Sequence, residues 1–254
     1  MSYPYFFIKK DDVAGNEIIV KEELNHLINV LRIRKGDRVE VSDNNKYRYG
    51  TEVTGVSKYG VTLLIRERIK IFRRLPHIVL FQCILKKNAM EIAIQKTVEI
   101  GIDRIVPVFS SRVITDNKKT ENKIKRWQKI AKEASKQCKR DFICEIAPSV
   151  NIYNIEASEF DVFYIPYEGY DKVKNKEINY PGRLNNIDSK ISSAKSIGYI
   201  IGPEGGFEER EVSFFKKSGA IAVNFGKKIL RSETASVYFL SIVDYILSIK
   251  AKND

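Results

Sequence analysis

The chain has 254 residues, room for one large domain or for a small and a medium one. Its 43% apolar content supports a real core, and no uncharged run approaches the length of a membrane span. A formal net charge of +12 favours a polyanionic partner such as RNA, about two to one over charge that serves solubility alone.

Residues 1–70 read as β. The apolar stretch Tyr5–Ile8 is too short for a secretory signal. Short runs rich in β-branched residues follow at Glu17–Val20, Arg38–Val41, Tyr49–Val53 and Gly60–Ile65, separated by polar turns such as Asp43–Lys46. One helix is predicted among them, from about Lys21 to Leu31. Several short strands around one helix suggest a small barrel, with a boundary near Phe72–Pro76.

From His77 the pattern changes. Ile78–Ile84 is a continuous apolar run, as in a strand covered on both faces. A helix over 89–100, a strand at Arg104–Val108, a long basic helix and a strand at Val162–Ile165 continue the alternation. Residues 168–196 are polar and read as a long loop with at most one short helix. Strands before Gly202 and at Ile221–Val223, a helix over Glu208–Ser218 and a terminal amphipathic helix over Thr234–Ile249 complete it. Strands alternating with helices make a parallel α/β domain.

Residues 112–140 concentrate charge, with eleven Lys or Arg against three acids. Ile124, Trp127, Ile130, Ala131 and Ala134 recur at helical spacing and predict one buried face. The opposite face then carries Lys123, Lys125, Arg126, Lys129, Lys132, Lys136 and Lys139, a one-sided surface suited to phosphate contact. A solvated helix face is the competing reading. Cys83, Cys138 and Cys144 with His26 and His77 form no CxxC and no metal-ligand spacing, so no metal is expected. Reduced thiols fit a soluble cytoplasmic protein, and no membrane partner is expected.

Two short motifs carry most of the functional signal. Gly202-Pro203-Glu204-Gly205-Gly206-Phe207 follows the apolar run ending at Ile201, and Phe225-Gly226-Lys227-Lys228-Ile229-Leu230-Arg231-Ser232-Glu233-Thr234-Ala235 follows Ile221–Val223. Ligands of open α/β sheets sit where strands end in such turns. Glycine there lets backbone groups approach a ligand, although a turn also needs glycine without one. Neither motif is a GxGxxG fingerprint or a Walker A loop, so phosphate-binding readings are poor.

In this order and spacing the two motifs resemble those of the RsmE family of SPOUT-superfamily methyltransferases. His26–Arg32 with Gly36-Asp37, Met90–Lys96 with Glu99–Gly101, and Arg126-Trp127 with Glu133–Arg140 extend the resemblance over nearly the whole chain. It implies an N-terminal PUA-like RNA-binding β-barrel over residues 1–73. A SPOUT α/β domain over 74–254 follows, with a C-terminal trefoil knot. It also implies a homodimer that uses S-adenosylmethionine to methylate N3 of a uridine in the 16S ribosomal RNA of the small subunit.

The cofactor site is then expected at Ile201, Gly202, Pro203, Glu204, Gly205, Gly206, Phe225, Gly226, Lys227, Ile229 and Leu230. Removing the N3 proton leaves negative charge on the flanking carbonyls of uracil. A guanidinium suits that charge, which points to Arg231, and a carboxylate to take the proton or orient the base points to Glu233. The two side chains could instead simply pair with each other on the surface. For Glu204 the competing role is to cap the following helix, and Ser232 is a candidate cap of the last one. RNA contacts are expected at Arg32, Arg34, Lys86, Arg112, Lys125, Lys129, Lys132 and Arg140. The alternatives are a non-catalytic ribosomal-RNA assembly protein and a SPOUT enzyme with a different RNA target. A pseudouridine synthase would need an aspartate motif that the chain does not offer.

Overall fold

The protein is described from a computed structural model, which covers residues 3–250 apart from 23, 25, 87, 114–116, 168–187 and 227. The chain forms two compact units, residues 1–73 with 135–143 and residues 74–134 with 144–254.

In the first unit six strands make one sheet. They are β1 (Tyr5–Phe7), β2 (Val13–Ala14), β3 (Glu17–Val20), β4 (Arg38–Ser42), β5 (Tyr47–Ser57) and β6 (Gly60–Lys70). The order is the open path β1-β4-β5-β6-β3-β2, antiparallel except for the β1–β4 pair. Alternate residues point inward, as the period of a strand requires: Val39 and Val41, Tyr49 and Val53, Val61 and Leu63. Of the helix expected over 21–31, the described residues show a helical Leu24 and a π-helical turn, His26–Val30, whose Leu27 is fully buried.

Segment 135–143 belongs to the same unit as this sheet, which nothing in the sequence indicates. Here the basic helix ends in a Schellman motif: Arg140 N donates to Ser135 O (2.9 Å) and Lys139 N to Lys136 O (3.1 Å). Lys139 takes the left-handed position (φ 55°) where glycine is usual. The chain then runs along β1 and β4. Tyr5 OH donates to Arg140 O (2.6 Å), Ser42 Oγ to Asp141 O (2.7 Å), and Ile143 N to Asn44 Oδ1 (2.7 Å). Burial would raise the Glu40 carboxyl, but hydrogen bonds from Arg48 and Lys139 outweigh it and hold the group below the usual carboxylate range.

The second unit is a parallel sheet built from β7 (His77–Cys83), β8 (Arg104–Phe109), β9 (Glu145–Ile146), β10 (Val150–Asn151), β11 (Val162–Pro166), β12 (Ser196–Ile201) and β13 (Ile221–Val223). The order is β10-β8-β7-β12-β11-β13, with β9 also on β8. The two-residue strands β9 and β10 leave no periodicity to read, and the sequence does not predict them. One face packs against α1 (Asn88–Ile100), α2 (Asn117–Gln137), α3 (Asp188–Ser193) and α5 (Ser232–Lys250), through Met90, Ile94, Trp127, Ile191, Phe239 and Val243. The other packs against α4 (Glu209–Lys217), through Val212 and Phe215. Cover on both faces explains the unbroken apolar strands. A Cβ at Gly198 would stand 2.5 Å from the Phe163 ring, so this strand glycine is a packing requirement. No helix among the described residues is long and apolar enough to cross a membrane.

Candidate functional site

Both glycine motifs lie at the carboxyl ends of strands, the first after β12 and the second after β13, with β11 between them. The first turn is braced from its neighbours. Glu204 Oε1 accepts the backbone N–H of Lys86, just beyond β7 (2.9 Å). The Arg112 guanidinium, just beyond β8, donates to Gly205 O. The Gly205 Cα faces the same arginine, since a Cβ there would meet Arg112 Cδ at 3.3 Å. Gly206 needs its left-handed φ of 69° to close the turn, and a Cβ on it would meet only open space.

The helix after this turn is capped without Glu204. Glu211 is fully buried; its Oε1 accepts Ser111 N (2.8 Å) and its Oε2 accepts Glu208 N (2.7 Å). A carboxylate in the first turn of α4 also suits the helix dipole. Glu204 is thereby released from the capping role and ties β12 to β7 instead.

The second turn is open. Gly226 is exposed and left-handed (φ 99°), with nothing within 4 Å of where a Cβ would stand, and its N–H bonds Asn224 Oδ1 (2.7 Å). Ile229 is 80% exposed, Leu230 half-buried, and Phe225 leans on Tyr238 and Phe239 of α5. Lys227 lies outside the described residues.

The two turns are joined at the start of α5, which begins two residues earlier than its periodicity predicts. Arg231 holds the cap position, its carbonyl accepting Ala235 N (2.8 Å). Ser232 is the first helical residue and does not cap. It is buried, and its Oγ donates to Gly202 O (2.6 Å) while accepting Gln82 Nε2 (3.0 Å). Ser236 Oγ donates to Gln82 Oε1 and approaches Ser232 O (3.0 Å), and Tyr199 OH donates to Ser236 O (3.3 Å).

Arg231 and Glu233 therefore flank an anchored serine. Arg231 is exposed, Glu233 is half-buried, and neither forms an ion pair among the described residues. The mutual surface pairing considered from the sequence is absent. A carboxylate at 233 suits the positive end of the α5 dipole. A cation at 231 opposes it, at a cost of about 0.3–1 kcal/mol.

A family model of an RNA methyltransferase domain matches residues 73–244, and one of an RNA methyltransferase PUA domain matches residues 20–66. The chain is 31% identical over 235 residues to the ribosomal RNA small subunit methyltransferase E of Bacillus subtilis, covering 89% of each chain. The chain belongs to the ribosomal RNA small subunit methyltransferase E family. A second member, the methyltransferase E 2 of Borreliella burgdorferi, is also 31% identical, over 92% of this chain and 94% of its own length. The fold is that of the Neisseria gonorrhoeae methyltransferase E solved with S-adenosyl methionine bound (TM-score 0.78, 24% identity, 96% of this chain and 98% of that one).

The basic residues expected to meet RNA fall on several elements. Lys125 and Lys129 are exposed on α2 and Lys132 is half-buried there. Lys136, read from the sequence as part of the same face, is buried where α2 ends, and Lys139 lies past that end, bonded to Glu40. Arg126 pairs with Glu91 of α1 (2.8 Å). Arg140 is half-buried in segment 135–143 of the first unit and is not on the α2 face. Arg32 and Arg34 are exposed beyond the π-helical turn of that unit. The Lys86 side chain is exposed, while Arg112 spends one N–H on the first glycine turn. Sequence reasoning missed Gln82, Glu211 and the bridging role of Ser232. Gln82 had a signal, as the one polar side chain inside the apolar run Ile78–Ile84.

Proposed function

We propose that this chain transfers a methyl group from S-adenosylmethionine to N3 of a uridine in the 16S ribosomal RNA of the small subunit. The observation that carries the reading is the meeting of two glycine turns, through Ser232 and Gly202, beside an arginine and a carboxylate that form no ion pair among the described residues. Family membership over the length of the chain supports it.

The residues fit the cofactor. Gly206 and Gly226 hold left-handed backbone with open space above it, and Ile229 presents an apolar surface that an adenine or the adjoining chain would cover. Residues 201–206 and 225–230 would hold it by backbone groups and apolar walls, with no phosphate clamp. When bound, S-adenosylmethionine supplies the electrophilic methyl group. Arg231 stabilises the negative charge that spreads onto the uracil carbonyls once N3 is deprotonated. Glu233 takes that proton or orients the base.

Around this centre we assign residues 1–73 as the PUA-like RNA-binding barrel and 74–254 as the SPOUT domain, knotted through its C-terminal segment. Arg32, Arg34, Lys86, Arg112, Lys125, Lys129, Lys132 and Arg140 meet the RNA. A homodimer forms over α5 and α1, motivated by the exposed Tyr238, Tyr245 and Ile249 of one and Ile92 of the other. The protein works in the cytoplasm, where its substrate is made.

Mass spectrometry of 16S ribosomal RNA nucleosides from a deletion strain tests the reading. The expected result is loss of one 3-methyluridine, restored by the wild-type gene and not by the Arg231→Ala variant. An unchanged nucleoside profile refutes it. For the RNA surface, reversing Lys125, Lys129 and Lys132 to Glu should weaken RNA binding, flatten its salt dependence and spare cofactor affinity.

A further inference from the structure

Gln82 is fully buried in β7, next to the centre of the sheet, where a leucine of similar size would need no partners. Its amide has only one workable orientation. Cys83 O can only accept, so Nε2 must face it (3.0 Å). The second Nε2 proton then goes to Ser232 Oγ, whose own proton is committed to Gly202 O. Oε1 receives the Ser236 hydroxyl. Both N–H groups and the carbonyl of the amide are used, and one N–H and the carbonyl bind residues one turn apart on α5. Buried polar groups cost free energy unless fully paired, and a fully paired set fixes geometry where apolar packing would allow sliding.

We propose that Gln82 is a positioning residue for methyl transfer. It holds the first turn of α5, and with it Arg231 and Glu233, in register with the Gly202 turn. The proposal rests on the functional reading above. Its logic is lateral: β7 lies beside β12 in the sheet, β12 carries the Gly202 turn, and Gln82 reaches from β7 to the helix that carries the reacting groups. Ser232 stands between Arg231 and Glu233, so a shift of this serine moves both. A displacement of about 1 Å in such groups is enough to lower a rate by about 100-fold.

The test is Gln82→Leu, with Ser236→Ala as a milder variant that removes only the partner of Oε1. Backbone amide exchange is read over residues 232–236 and over β7, β8 and β12. Single-turnover methyl transfer to small ribosomal subunits and calorimetric affinity for S-adenosylmethionine are measured alongside. In Gln82→Leu, exchange at 232–236 should rise about tenfold or more while the strands keep their protection. Transfer should slow about 100-fold, with cofactor affinity within about threefold of wild type. Ser236→Ala should move both readouts the same way by less, and it decides the matter if Gln82→Leu does not fold. Unchanged exchange at 232–236 overturns the proposal. So does a wild-type rate in a loosened variant, or a uniform rise in exchange across the sheet, which marks general destabilisation. Arg231→Ala is run in parallel. If it transfers at the wild-type rate, the catalytic assignment of Arg231 fails, while the exchange data still decide whether Gln82 holds the turn.

Discussion

The two glycine turns end strands of one sheet and are built on opposite principles. The turn after β12 buries Pro203 and Phe207 and is tied to loops beyond two other strands, through Glu204 to Lys86 N and through Gly205 O to Arg112. The turn after β13 leaves Gly226, Lys228, Ile229 and Arg231 exposed. Its described links inward are the Asn224 cap, the Phe225 ring and the anchored Ser232. The contrast separates two tasks that one loop could not combine. A template must be rigid before the ligand arrives. Groups that act on a ligand must be left without partners, and an unpaired charge is tolerated only where water can reach it. On the proposed function, the braced turn serves as the template and the open turn carries the acting groups.

Arg231→Ala should break this division most visibly. Removing a donor aimed at developing negative charge costs about 100- to 1,000-fold in rate, or roughly 3–4 kcal/mol. Single-turnover transfer to small subunits should fall by that factor while calorimetric cofactor affinity and sedimentation stay put. An affinity loss as large as the rate loss would place Arg231 in the template instead. Gly205→Val probes the other side. Its Cβ would press on Arg112 at 3.3 Å, with a β-branched side chain beyond, so the turn must open. S-adenosylmethionine affinity should drop by about 100-fold, equivalent to about 2.7 kcal/mol, with the first unit still folded. Wild-type affinity in a folded variant would sink the template role.

Glu211→Ala tests whether the brace is energetic or incidental. The variant leaves Ser111 N and Glu208 N without their buried acceptor, which costs about 2–3 kcal/mol. Urea unfolding should show that loss in the midpoint at an unchanged slope. A stability within about 0.5 kcal/mol of wild type would mean that the first turn does not depend on the α4 cap.

The same contrast explains what the sequence reveals. Glycine in a left-handed turn leaves a mark in the sequence, so both turns and the strands before them can be read from it. Long apolar runs and helical spacing likewise announce β7, β12 and α1. The brace does not announce itself. Glu204 looks like a helix cap, and only the positions of β7 and α4 show that Glu211 caps α4 while Glu204 reaches Lys86 N. Ser232 resembles an N-cap because serine is common there, but α5 starts at it and its hydroxyl turns inward to Gly202 O. Gln82 hides in an apolar run because one amide hardly changes the pattern. Lys136 is buried on a helix that reads as uniformly basic, because the chain beyond it belongs to the first unit. The Glu204–Lys86, Glu211–Ser111 and Gln82–Ser232 bonds join segments 100 or more residues apart, where local pattern carries no information.

Ile229→Ala should have the smallest effect and makes the finest cut. An isoleucine exposed to 80% contributes little to folding, so truncation should change stability by less than about 0.5 kcal/mol. Covering such a side chain completely is worth about 1.5–3 kcal/mol, and a ligand lying along one side covers only part of it. The expected loss of S-adenosylmethionine affinity is therefore about fivefold, or about 1 kcal/mol, read by calorimetry at fixed salt. The two measurements together decide where the side chain does its work. A fall of several degrees in melting temperature would mean that Ile229 packs within the folded chain and that the second turn is less open than its exposure indicates. Unchanged stability with unchanged affinity would mean that nothing covers it in the cofactor complex, and the apolar wall of the open turn would then rest on Leu230 and Phe225 alone.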